Sequence, residues 1–308
     1  MSVGHVDIVG LGLATIDIMT LVPRLPARDE VFQARRILLE GGGPVATALV
    51  ATARLGASNA YLGPIAPTTW GSLTRAGLER EGVDTSHAPT RSGGEQAVSV
   101  ILVDEATGQR SILYEGAEML ELAPAEVPAE LITSARALHL DGVHVEAALH
   151  AAEIARQAGV LVSLDGGAGQ LWSGTERLLP LVDLLVVARR FAELHTGRAD
   201  PLLAGPALLE TYRPRQVVIT DGPRGCWYWD AAAGHFHQPA FPVDVVDTTG
   251  AGDVFHGAYL YATLRGWPAQ RCLAFAAAAA ALKCQALGGR AGIPTTGETE
   301  RFLKTLGV

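Results

Sequence analysis

Short apolar runs rich in β-branched residues alternate along this chain with longer segments whose apolar residues recur at helical spacing. The alternation is clearest from Ala137 onward. Ala137 to Leu140 reads as a strand, Glu146 to Ala158 as a helix, and Val160 to Asp165 as a strand. Leu184 to Val187, Leu202 to Tyr212 and Gln216 to Thr220 continue the rhythm. Such a pattern predicts an α/β fold with a largely parallel central sheet flanked by helices. Earlier in the chain, Val6 to Gly10 and Asn59 to Leu62 read as strands. Pro44 to Leu55 is an Ala-rich helix whose first turn tolerates the proline, and Thr69 to Glu81 is a helix closed by Gly82. Beyond Thr220 come a hairpin, Cys226 to Trp229 with His235 to His237, and helices near Ala251–Leu264 and Pro268–Leu287.

A different pattern marks a second, smaller sheet. Ala14 to Val22 and Glu30 to Leu39 mix apolar and polar residues as exposed strands do. Gln96 to Val103 and Gln109 to Leu113 read as a hairpin turning at Ala106-Thr107-Gly108. These segments, about 14–39 and 96–113, are expected to form a small β-sheet lid on a single domain spanning 1–308. Arg110 is the strong cation of that hairpin, either a solvated strand charge, the favoured reading, or a charge facing a substrate.

Composition narrows the function classes. The 308 residues are 48% hydrophobic and 18% charged, enough to bury a sizeable core and too apolar for disorder. A formal charge of −8 without a basic stripe argues against a nucleic-acid partner. Cys226, Cys272 and Cys284 are too scattered for a disulfide framework or zinc site and read as buried thiols in a reducing compartment. No Lys or Arg occurs before Arg24, as a signal peptide's basic start would require, and the longest apolar run, Cys272 to Leu282, is too short to span a bilayer. A soluble, cytoplasmic protein is expected.

Lys283 and Lys304 are the two lysines, and neither follows a Gly-x-x-x-x-Gly, so a Walker A loop is excluded. Gly10-Leu11-Gly12 invites a dinucleotide reading but fails it, because Thr15 holds the third glycine position and Pro23 and Pro26 break the required helix. His235-x-His237 places two rings on one side of a strand, without a third ligand to complete a metal site.

The chemistry gathers at Val245-Val246-Asp247-Thr248-Thr249-Gly250-Ala251-Gly252-Asp253. A β-branched run leads into two threonines, then Gly250, Ala251 and Gly252, then a carboxylate that opens an apolar helix. Unpaired N–H groups of a first helical turn bind anions, and tiny residues let a ligand come close. Asp253 would repel a simple anion, but it suits phosphoryl transfer. The amides can hold the developing charge while the carboxylate takes a proton from the attacking hydroxyl.

Asp247-Thr248-Thr249-Gly250-Ala251-Gly252-Asp253, with Phe255 and Gly257, resembles the C-terminal motif of the PfkB, or ribokinase-like, carbohydrate kinases. Gly41-Gly42-Gly43-Pro44 running on to Arg54-Leu55-Gly56 resembles their N-terminal motif, in the expected order. The resemblance runs from about Asp7 to Pro294. It implies a ribokinase-like fold and an ATP-dependent sugar kinase using Mg2+ and, in some members, K+. By that resemblance Asp17, Gly42, Gly43 and Asp141 meet the sugar. Thr220, Gly222, Gly225 and Gly252 meet the nucleotide, and Asp253 is the base. Asp247 and Thr249, with the loop 288–292, border a monovalent-cation site.

Two departures qualify the match. Thr47 stands where Asn is frequent, and Ala188 and Phe191 occupy the positions of an Asn-x-x-Glu that organises magnesium and phosphates, with Glu193 nearby. A nucleoside kinase, a phosphosugar kinase and a non-catalytic sugar- or nucleotide-binding regulator remain as rivals to a neutral-sugar kinase. The expected partners are a small sugar and ATP, with neither nucleic acid nor membrane, and a homodimer through the lid is the expected assembly. Asp17, Asp141, Asp165, Thr220 and the loop 247–253 are all expected to follow strands and to converge on one sheet edge.

Overall fold

In a computed structural model, residues 6–115, 120–167, 174–232 and 234–308 are described. The chain runs β1 (Ile8–Leu11), β2 (Thr15–Val22), β3 (Arg36–Gly42), α1 (Pro44–Arg54), β4 (Asn59–Leu62), α2 (Thr69–Arg80), β5 (Val98–Asp104) and β6 (Arg110–Glu115). It continues through α3 (Ala129–Ser134), β7 (Ala137–Leu140), α4 (Val145–Gln157), β8 (Leu161–Asp165), β9 (Leu184–Ala188), α5 (Arg189–Thr196) and α6 (Pro201–Tyr212). The last elements are β10 (Gln216–Thr220), β11 (Cys226–Asp230), β12 (Gly234–Gln238), α7 (Ala251–Leu264), α8 (Ala269–Lys283) and α9 (Thr296–Thr305).

The larger sheet has the order β12-β11-β10-β9-β8-β7-β1-β4. It is parallel from β10 to β4, and β11 and β12 close one edge antiparallel. Alternation sends side chains to two cores. Ile8, Leu184, Val186 and Val218 meet α1, α7 and α8, while Val9, Leu185, Val187, Val217 and Ile219 meet α3 to α6. Small residues bring the first set of helices close, since a Cβ at Gly257 of α7 would strike the Ala48 carbonyl of α1. Strand order reverses about β1, which pairs with β7 on one side and β4 on the other. A crevice beyond the strand C-termini is expected at such a point.

The smaller sheet, β3-β2-β5-β6, is the lid. Residues facing one another across it share a face, so Asp17, Glu40, Ser99 and Tyr114 point the same way. Four expectations change. Glu30 to Arg35 is not strand, because the Arg24–Glu30 ion pair and the Ala27 N–H bond to Glu30 fix a turn there. The run Val245-Val246 ahead of the loop is likewise not strand; Val246 and Asp247 donate to the Cys284 carbonyl instead. The second C-terminal helix stops at Lys283 rather than Leu287. Asp17 does not follow a strand but stands within β2.

Candidate active site

Gly250 caps α7 with φ 75°, a conformation that suits glycine, and a Cβ on it would strike the backbone of Gly289. Asp247 shapes the turn before it. Its Oδ1 accepts from the Thr249 N–H at 2.8 Å, its Oδ2 from the Gly288 N–H at 2.8 Å, and its carbonyl oxygen from Lys283 Nζ at 2.9 Å. Ala251 N–H turns back to the Thr248 carbonyl at 3.3 Å, so the outward amides are those of Gly252 and Asp253. The space in front of Gly252 is open, with no atom within 4 Å of a Cβ built there.

Asp253 stands in this first turn, partly open to solvent though densely surrounded by protein. Burial raises its pKa, and the charges of Asp165 and Asp17 add to the rise, while Arg110 and Arg290 pull it down. Asp165, the last residue of β8, lies 3.4 Å from His256 Nε2, one turn along α7 from Asp253. Thus the loop, the sheet edge and the lid meet at one carboxylate.

On the acceptor side, Asp17 is buried and accepts from Thr15 Oγ1 at 2.7 Å. Gly42 lies against it so closely that a Cβ there would fall on the carboxylate. Gly43, φ 91°, caps α1 against the Leu13 carbonyl. Asp141 follows β7, but its carboxylate serves the backbone, taking the N–H of Leu13 at 2.7 Å and of Val143 at 3.0 Å. Burial pushes its pKa up to about 6. Asp141 therefore fixes the turn after β1 at the crevice.

On the opposite side, Thr220 ends β10, and Gly222 (φ 53°) and Gly225 (φ 88°) form the turn beyond it. Asp221 in that turn binds Arg189 at 3.2 Å and Arg224 Nε at 2.7 Å. Ala188 caps α5, and Phe191 is buried, stacked on His195 with ring centroids 4.1 Å apart. Glu193 is paired with Arg190 at 3.3 Å. His237 stacks on Trp227 at 4.4 Å, and among the described residues no three His, Cys, Asp or Glu side chains gather as a metal site. An open hollow of about 570 Å³ beside Pro23, Arg24, Phe32 and Arg35 shares no residue with this site.

Three cations make contacts around the site that the sequence alone does not show. Arg110, exposed on the lid strand, reaches Thr248 Oγ1 of the anion loop at 3.3 Å, a contact on the side of the substrate-facing reading. Arg290, 4% exposed, donates to the Gly42 carbonyl at 2.7 Å and to Thr47 Oγ1 at 3.3 Å, beneath the Gly41–Gly43 segment. Lys283 is fully buried; burial holds its pKa below the ordinary lysine value, an effect that Asp247 and Glu40 offset in part. As one of two lysines, and ending an alanine-rich helix, Lys283 was the visible signal of the three.

Residues 6–296 match the sequence model of the pfkB family carbohydrate kinases, so the chain belongs to that family. A ribokinase of Haemophilus influenzae is 30% identical over 96% of this chain and 97% of its own. An ATP-dependent ribose-1-phosphate kinase of Halopiger xanaduensis is 30% identical over 98% of this chain and 97% of its own. Among solved structures, Arabidopsis thaliana ribokinase complexed with ribose and ATP superposes with a TM-score of 0.83 at 25% identity, over 98% of this chain and 99% of the other. The ribokinase-like α/β fold, the separate lid and membership among the carbohydrate kinases stand as expected. Among the described residues no helix is long and apolar enough to cross a membrane.

Proposed function

We propose that the chain, working as one domain with its lid, transfers the γ-phosphoryl group of ATP to a hydroxyl of a small neutral sugar, a pentose or ketohexose. The observation that carries this reading is Asp253 in the first turn of α7, beside the outward amides and open space at Gly252. In it Asp253 takes the hydroxyl proton; the charge on the transferring group, expected on the backbone of Gly250, Ala251 and Gly252, falls to the outward amides of Gly252 and Asp253, because the Ala251 N–H is turned back to Thr248. Asp17 and the Gly42–Gly43 backbone receive sugar hydroxyls, and Asp141 supports that pocket by holding the Gly12–Leu13 turn. Thr220, Gly222, Gly225 and Gly252 line the nucleotide side. Mg2+ bound with ATP would neutralise phosphate charge. With Glu193 paired to arginine, and no three metal-ligating side chains gathered among the described residues, the ion would arrive bound to the nucleotide itself. A ligand-binding regulator is disfavoured, because a carboxylate beside an anion site obstructs binding and assists only transfer.

A phosphorylated acceptor is the second reading, favoured by Arg290 under the Gly42 surface and by the ribose-1-phosphate kinase relative. Asp17, which would repel a nearby phosphate, ranks it second. The three buried thiols suit a reducing cytoplasm. ATP consumption measured across pentoses, ketohexoses, nucleosides and phosphosugars, with product mapping, tests the reading. A phosphosugar or nucleoside at least about tenfold better than every neutral sugar, a difference of ~1.4 kcal/mol in transition-state binding, would overturn it.

A further inference from the structure

Asp247 is the pivot of the anion loop, and each of its oxygens is already engaged. Its carboxylate holds the Thr249 and Gly288 amides, and its carbonyl accepts from Lys283 Nζ at 2.9 Å. Lys283 closes α8 and has no solvent-exposed surface, so this ammonium group is not a passing surface contact. A buried ammonium is retained where acceptors and opposite charge compensate its lost hydration. Here Asp247 supplies a carbonyl dipole, and the Asp247 and Glu40 carboxylates lie close enough to act on Lys283 electrostatically.

The same loop is where the family resemblance implies a monovalent cation, bordered by Asp247, Thr249 and the loop 288–292. The residues present do not fit a second cation well. A potassium ion drawn to Asp247 would compete for oxygens that already accept from two amides and the Lys283 ammonium, and two like charges sharing one residue repel. A tethered ammonium and a potassium ion have much in common chemically: each carries one positive charge and each is satisfied by carbonyl oxygens. The loop from Asp247 through Thr249 leads directly into Gly250 and the outward amides. A fixed positive charge behind it strengthens the attraction for an anion held by those amides.

We propose that the ammonium group of Lys283 is the built-in cation of this anion hole, replacing a dissociable potassium ion, so that turnover does not depend on potassium. The proposal rests on the phosphoryl-transfer reading of the site, and it has a readout that survives failure of that reading. Wild-type protein is compared in KCl and in tetramethylammonium chloride at matched ionic strength. Equal turnover and equal melting temperature are expected, and potassium activation or potassium-dependent stabilisation would overturn the proposal. In the apolar variant Lys283→Met, folding is checked by melting and nucleotide affinity by titration. Turnover about tenfold or more below wild type, in a folded protein that still binds ATP, is expected; wild-type turnover overturns the proposal. Lys283→Ser opens room for an ion and a hydroxyl to hold it. Potassium, but not tetramethylammonium, should raise both its melting temperature and its turnover, and a folded Lys283→Ser variant indifferent to potassium overturns the equivalence. If the wild type phosphorylates none of the acceptors tried, the proposed function fails, while the melting comparisons still decide the cation question.

Discussion

Arg110 of the lid donates to Thr248 Oγ1 of the anion loop at 3.3 Å, across 138 positions of sequence. The same hydroxyl bonds the Gly108 carbonyl at 3.1 Å, and the Thr248 N–H bonds that carbonyl at 3.2 Å. The tip of the β5–β6 hairpin is thus latched to the loop that precedes Asp253. In the proposed reaction an arginine held there would offer a guanidinium to phosphate charge, and Arg110 acts electrostatically on Asp253.

Removing that guanidinium should slow the reaction without loosening the fold. Arg110 is exposed, so Arg110→Ala should leave the melting temperature within a degree or two. Turnover should fall about tenfold to a hundredfold, the size expected for a lost hydrogen bond to a charged group. Steady-state kinetics beside a melting curve separates the two effects, and unchanged turnover would return Arg110 to a solvated role.

Asp253→Asn should cut turnover by about 10²–10⁴-fold, the range for a lost general base, while nucleotide affinity stays near wild type. Stability should move the other way. Burial and the neighbouring Asp165 raise the pKa of Asp253 in the folded chain. The folded state therefore favours the protonated carboxyl, a stabilisation fully present below the unfolded value of about 4 and lost as pH rises through the folded one. The variant cannot ionise at this position, so it should melt higher than wild type in alkaline buffer, the gap closing toward acid. By the same shift, wild-type kcat/KM should rise with pH through an acid limb lying above the ordinary carboxylate range. A variant with near-normal turnover would remove Asp253 from the mechanism.

Gly42→Ala tests the acceptor surface. A methyl group there falls on the Asp17 carboxylate, so Asp17 or the strand must shift. Overpacking of this kind costs about 1–3 kcal/mol. Sugar KM should rise at least about tenfold, while ATP KM stays close to wild type. An equal rise in both constants would show that the substitution disturbs the whole cleft rather than the sugar side.

Much of this was legible because it is local. Asn59–Leu62, Ala137–Leu140 and Gln216–Thr220 are apolar runs with clear borders, and each is a strand to the residue. Gly250 to Asp253 declares itself because small residues, amides and carboxylate share one turn. What escaped depends on partners far along the chain. Arg290 is defined by Gly42, 248 positions away, and Lys283 by Asp247, 36 away. Neither pairing leaves a trace in periodicity. The end of α8 was missed for the same reason, since the Cys284 carbonyl leaves the helical pattern to accept from Val246 and Asp247.

The outer face of the lid supplies the last expectation. Register sets Ile18, Leu39, Val100 and Leu113 side by side on one face, and Thr20, Ile37 and Leu102 continue it. The opposite face carries Asp17 and Met19, both buried. Leu39 is 56% exposed and Ile37 66%, so this outer face presents aliphatic side chains to solvent. A half-apolar sheet normally buries such a face, and large exposed apolar patches mark association sites. A second copy of the chain is the proposed cover, pairing lid to lid about a two-fold axis with the same residues on both sides. Wild-type protein should then sediment as a dimer, and Leu39→Glu should shift it toward monomer, because a carboxylate placed in each partner faces its own copy. Asp17 and Glu40 lie on the other face of the same strands, so a lid that loses its cover should also hold sugar less well. Sedimentation equilibrium over a range of concentrations, with sugar KM measured on the same samples, reads both effects. A wild-type monomer throughout that range removes the lid dimer.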